Sequence, residues 1–126
     1  MKKGETMDDK DLKILDRSYQ FALRIIKMGE QFPDSTGAKI IGNQLLRAGT
    51  SVGANVEEAV AAYSKPDFVY KMSIALKEAR ETHYWLRLLR DSAILKPVRL
   101  QAILLEAGEI KNILGAIVRT ARKRSR

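Results

Sequence analysis

Apolar positions recur along this chain at steps of three and four residues, the spacing that places side chains on one face of an α-helix. The pattern predicts four such segments. Over residues 8–30, Leu12, Leu15, Tyr19, Ala22, Ile26 and Gly29 keep the step and are the expected buried face. Phe32-Pro33-Asp34-Ser35 ends the segment. Proline disfavours helical geometry in the residue before it, and Asp34, Ser35 and Thr36 can each cap the helix that follows. The second segment spans residues 36–62, with Ile41, Leu45, Ala48, Val52, Val56 and Ala59 as its apolar row. A break at residues 63–67 holds Ser64 three positions before Asp67, a capping-box spacing, with Pro66 in what would be the first turn. The third segment continues to about residue 91 and buries Phe68, Met72, Ala75, Ala79, Leu86 and Leu89. After a link at residues 92–97, the fourth carries an unbroken stripe from Leu100 and Ile103 through Leu104, Ala107, Ile110 and Leu114 to Ile117, Val118 and Ala121.

Short links between long helices join antiparallel neighbours. The expected fold is therefore all-α, an antiparallel up-down-up-down four-helix bundle forming a single domain over residues 1–126. With 126 residues and 45% hydrophobic content, the chain can bury a core without metal or disulfide support. It contains no cysteine, which excludes disulfides, thiolate nucleophiles and cysteine-ligated zinc, and a cytoplasmic location fits best. No apolar run has a membrane span's length, and the N-terminus lacks a signal peptide's apolar core. No membrane association is expected.

Charge changes this picture. The net charge is +8, and the expected basic tail, residues 119–126, carries Arg119, Arg122, Lys123, Arg124 and Arg126 with no acid. Residues 65–90 hold six basic and three acidic side chains. This asymmetry suits a polyanionic partner such as RNA or DNA. On the third segment Lys77, Arg80, Tyr84 and Arg87 share one face, a basic row with an aromatic ring interleaved. Such a face can meet phosphates while the ring stacks on a base; a simply solvated basic face is the alternative. Trp85 falls on a neighbouring sector beside Glu78 and Glu81, where packing or a subunit contact is expected of it.

The second segment raises a separate question. Gly49-Thr50-Ser51-Val52-Gly53 looks like a phosphate-cradling loop, yet it lacks the Gly-Lys-Ser/Thr ending, and no lysine occurs between Lys39 and Lys65. Read as helix, Gly42, Gly49 and Gly53 form a smooth strip beside the apolar row. Each glycine costs on the order of 1 kcal/mol relative to alanine in a helix interior. A closely approaching helix would offset that cost, and it could belong to this chain or to another subunit. Gly49 and Gly53 are thus candidate oligomer contacts. A third, polar row comprises Gln44, Arg47, Ser51, Asn55 and Glu58. It could form a structural hydrogen-bond network between helices or contact a ligand or nucleic acid directly.

Catalytic chemistry is sparse. His83, the only histidine, stands at the edge of the apolar face, and no paired Glu-x-x-His motif or nucleophile elbow accompanies it. No metal site, no cofactor and no enzymatic activity are expected.

The polar row and the third segment together resemble a known family. Gln44-Leu45-x-Arg47-Ala48-x-x-Ser51-Val52-x-x-Asn55-Val56-x-Glu58-Ala59 lies between Phe32-Pro33 and Asp67-Phe68, and is followed by residues 71–82 and Tyr84-Trp85-Leu86. This is similar to the bacterial four-helix bundle proteins encoded within intervening sequences of large-subunit ribosomal RNA genes. The resemblance covers about residues 12–118. Ala59 departs from it, because many relatives carry glycine after the glutamate. The resemblance implies a ring-shaped homo-oligomer, a pentamer, with no enzymatic activity. A related accessory protein of diversity-generating retroelements is thought to bind nucleic acid and its reverse transcriptase through basic surfaces. On this reading the chain binds structured RNA through Lys77, Arg80, Arg87 and the residues from Arg119 onward. The competing expectation is a protein-interaction scaffold with no nucleic-acid contact.

Overall fold

A computed structural model describes residues 9–124. Four helices follow one another: α1 (Asp9–Gly29), α2 (Thr36–Val60), α3 (Lys65–Asp91) and α4 (Pro97–Arg124). Each packs on its neighbours in sequence, and α4 closes back on α1, giving an antiparallel four-helix bundle with no strand among the described residues. The ends are set locally. The Ser35 hydroxyl accepts from the Ala38 N–H at 3.3 Å to begin α2, and the Ser64 hydroxyl accepts from the Asp67 N–H at 3.2 Å to begin α3. Pro66 lies in the first turn of α3, and Pro97 opens α4. Between them Ala93 takes φ 58°, a left-handed position at the end of α3.

Phe21, Val52, Leu86 and Leu114, one from each helix, are fully enclosed at the centre of the bundle. The expected faces of α2, α3 and α4 are the observed ones, and α2 runs past the buried Ala59 to Val60. Ile41, Phe68 and Leu104 lie at the margin of the core, half-buried against it.

The expected face of α1 is buried only in part. The core receives Ile14, Ser18, Phe21, Ile25 and Met28, while Leu12, Tyr19 and Ile26 stand exposed. The two rows lie about a third of a turn apart, and Leu15 and Ala22 are half-buried between them. The α2 glycines explain which row turns inward. A Cβ on Gly49 would stand 3.0 Å from Ile25, and one on Gly53 would stand 3.2 Å from the Ser18 carbonyl oxygen. Ser18 therefore occupies the point of closest approach, where its own hydroxyl donates to the Leu15 carbonyl at 3.1 Å. This corrects the assignment of Gly49 and Gly53 as oligomer contacts: α1 of the same chain fills that space, and both glycines are buried.

The basic segment at the C-terminus also differs from the expected tail. Arg119, Arg122, Lys123 and Arg124 continue α4 as its last turns, a favourable place for cations at the negative end of a helix. Arg126 lies outside the described residues.

Candidate nucleic-acid interface

On α3, residues 73, 77, 80, 84 and 87 follow at steps of four and three, so they form one row opposite the buried face. Lys77, Arg80, Tyr84 and Arg87 are all exposed, as the sequence pattern implies. The row runs about 21 Å at 1.5 Å per residue, long enough to meet several phosphates. The Arg87 guanidinium lies 5.8 Å from the centre of the Tyr84 ring, and Tyr84 meets Trp85 edge-on at 5.0 Å. Arg122 reaches across from α4 to the Ser73 hydroxyl at 3.4 Å. That contact joins the C-terminal cations of α4 to the start of the α3 row. Lys123, Arg124 and Arg119 are exposed beside it.

The other side of α3 is occupied by the polar row of α2. Arg47 donates from Nη1 to Glu78 at 3.3 Å and from Nη2 to Glu81, and its Nε meets Gln44 at 3.5 Å. Glu81 also accepts from the Trp85 indole at 3.3 Å, so the half-buried tryptophan is held at the α2–α3 seam. The Ser51 hydroxyl donates to the Arg47 carbonyl and the Asn55 amide to the Ser51 carbonyl, both within α2. Glu58 faces Lys71 at 3.9 Å. The members of the row thus find partners within the bundle. Hydrogen bonding to Arg47 holds the Glu81 carboxyl below its ordinary range and raises Arg47 in turn.

An equivalent latch ties α1 to α4, where Arg17 pairs with Glu106 at 2.5 Å and Glu109 at 2.6 Å. The α3–α4 seam is different. Arg80 and Arg87 from α3 face Lys111 from α4 across an open concavity of about 400 Å³ that His83 and Asn112 complete. Among the described residues no carboxylate pairs with any of these three cations within 4.0 Å. Burial, then the nearby Lys111, Arg87 and Arg90 charges, push His83 below its ordinary value, so the imidazole stays neutral at neutral pH. Like charges facing one another cost stability, which an anion placed between them would recover.

The α3 row was readable from one helix. Lys111, Asn112 and the placement of His83 were not, because they depend on how α3 and α4 are staggered. The single hint was His83 at the edge of the apolar face, the position from which a side chain reaches a neighbouring helix.

A family model described as 23S rRNA-intervening sequence protein matches residues 10–116. The chain belongs to this family. The match includes Arg80, Arg87 and Lys111 and ends before Arg119. Among solved structures, the chain is similar to a protein of unknown function from the S23 ribosomal protein family of Bacteroides thetaiotaomicron. The two are 38% identical over 87% of this chain and 98% of that one, with a TM-score of 0.81. No curated protein matches the chain. The family is named for an intervening sequence of 23S rRNA. No helix among the described residues of this intervening-sequence protein is long and apolar enough to cross a membrane.

Proposed function

We propose that this intervening-sequence protein is a non-enzymatic, cytoplasmic homo-oligomer that binds structured RNA through the outer face of α3 and the adjoining end of α4. The observation that carries this reading is the selective pairing of its arginines. Arg17 and Arg47 are neutralised by glutamates between helices, whereas Arg80, Arg87 and Lys111 converge on one concavity without a carboxylate partner. Phosphates are the natural counter-charge, and the exposed Tyr84 offers a ring for base stacking. Self-association is supported by the outward apolar row of α1, and five copies at +8 each would carry about +40, favouring avid binding at low salt.

Titration of the purified protein with a structured RNA at several salt concentrations tests the reading. Affinity is expected to fall steeply as salt rises and to collapse in an Arg80→Glu, Arg87→Glu double variant. Absence of binding at low salt would overturn it. Partner-protein binding that survives the double variant would instead favour a pure interaction scaffold, the reading to which the exposed α1 row would then belong.

A further inference from the structure

The basic concavity does not stand alone. His83 and Asn112 also line a second open groove of about 800 Å³ that runs along the same seam beside Leu104, Leu105 and Gly108. Both spaces fall in the size range of small-ligand sites. One compartment is cationic and the other mixed, its apolar Val98, Leu104 and Leu105 standing beside Arg90, Gln101 and Glu109, with an imidazole on the shared wall. Gly108 lacks a side chain where one would come within 3.9 Å of the His83 ring, which leaves that ring's surroundings open.

The charge count favours a particular anion. An internal phosphodiester carries one negative charge, whereas a phosphate monoester carries about 1.5 to 2 at neutral pH. Three fixed cations around about 400 Å³ exceed what one diester neutralises and are better matched by a monoester. The adjoining groove suits the sugar and base attached to such a group, because unstacked bases lie against imidazole rings and guanidinium planes, and His83 and Arg90 both line it.

We propose that the α3–α4 concavity receives the terminal phosphate monoester of an RNA strand, with the end nucleoside laid in the groove beside His83 and Gly108. The inference rests on the RNA-binding reading above and narrows it to strand ends. Arg80, Arg87 and Lys111 hold the phosphate, Asn112 supplies a neutral amide, and His83 adds a donor without adding a fourth fixed charge to the empty site.

The test compares one single-stranded RNA of about 12 nucleotides bearing a 5′-monophosphate, a 3′-monophosphate or no terminal phosphate, titrated against the full chain by fluorescence anisotropy. One phosphorylated form is expected to bind about tenfold tighter than the unphosphorylated strand, the scale of one charge-assisted contact. Whichever end gives the preference identifies the end recognised. In Lys111→Gln and in Arg80→Gln the preference should vanish while thermal unfolding stays cooperative. Both positions lie outside the packed core, so the fold is expected to survive. Equal binding of all three strands by the unaltered protein overturns the end site and leaves general RNA binding standing. No binding of any strand at low salt overturns both. A preference that persists in both variants places the end elsewhere and overturns this assignment. A free nucleoside monophosphate that binds as tightly as the phosphorylated strand would reassign the site to a mononucleotide and overturn the strand-end proposal.

Discussion

Gly53 of α2 rests against the backbone of Ser18 in α1, so closely that a Cβ would stand 3.2 Å from the Ser18 carbonyl oxygen. Backbone cannot swing aside as a side chain can, so Gly53→Ala forces the two helices apart. Overpacking of this kind costs about 1–3 kcal/mol, offset by about 1 kcal/mol of helix propensity. A net loss of about 1 kcal/mol is expected in urea denaturation. Gly115 of α4 is also buried, but the nearest atom to its added Cβ is the flexible guanidinium of Arg119 at 3.3 Å. Gly115→Ala should therefore gain up to about 1 kcal/mol. Opposite signs at two buried helical glycines separate close backbone approach from burial as the reason for glycine.

Arg47 bridges Glu78 and Glu81, and Arg17 bridges Glu106 and Glu109, so each latch fails when its carboxylates take up protons. Hydrogen bonds from the arginines hold Glu81 and Glu106 below the ordinary carboxylate value of 4.5. A lowered folded-state value means that the unfolded chain binds protons first. The stabilisation is present above about pH 4.5 and is lost as pH falls through the folded values. Arg47→Met is expected to cost about 1 kcal/mol at pH 7, since the guanidinium is half-exposed and leaves two glutamates facing each other. Its deficit should shrink as denaturation curves are repeated from pH 5 down to pH 3.

Periodicity located α2, α3 and α4 and their buried faces because each has one dominant apolar row. It misplaced the buried face of α1 by about a third of a turn, because two neighbouring rows both keep the helical step. The inward row even carries Ser18, which lowers its apolar count. Only the requirement that a small residue meet Gly53 selects it, and that is a property of two helices together. The same limit applies to the site. Lys77, Arg80, Tyr84 and Arg87 share one helix face and were legible, whereas Lys111 joins them through an interhelical stagger set by the link after Asp91 and by core packing.

Ala93 makes that link possible at a cost. Its φ of 58° is left-handed, a region in which a Cβ is crowded and which glycine enters freely. Ala93→Gly is expected to stabilise the fold by about 1 kcal/mol, less the entropy that glycine gains in the unfolded chain. A higher denaturation midpoint with an unchanged slope on denaturant would bear this out. A drop in stability would mean that the alanine methyl packs favourably enough to outweigh the strain.

The outward row of α1 leads to the last expectation. Leu12, Tyr19, Leu23 and Ile26 are 46%, 56%, 46% and 49% exposed, all on the side of α1 facing away from the core. Ile26 lines a groove between α1 and α2 together with Leu46, which is itself exposed. Contiguous exposed apolar surface of this kind marks an interaction site. If this row is where copies of the chain meet, a Leu23→Glu, Ile26→Glu double variant should sediment as a monomer while the unaltered chain sediments as an oligomer. Neither residue supports the core, so helicity should be retained. RNA affinity should fall in the variant by a larger factor than at Arg80 or Arg87 singly, because loss of assembly removes avidity from every site at once. A double variant that remains oligomeric would exclude this row as the subunit contact.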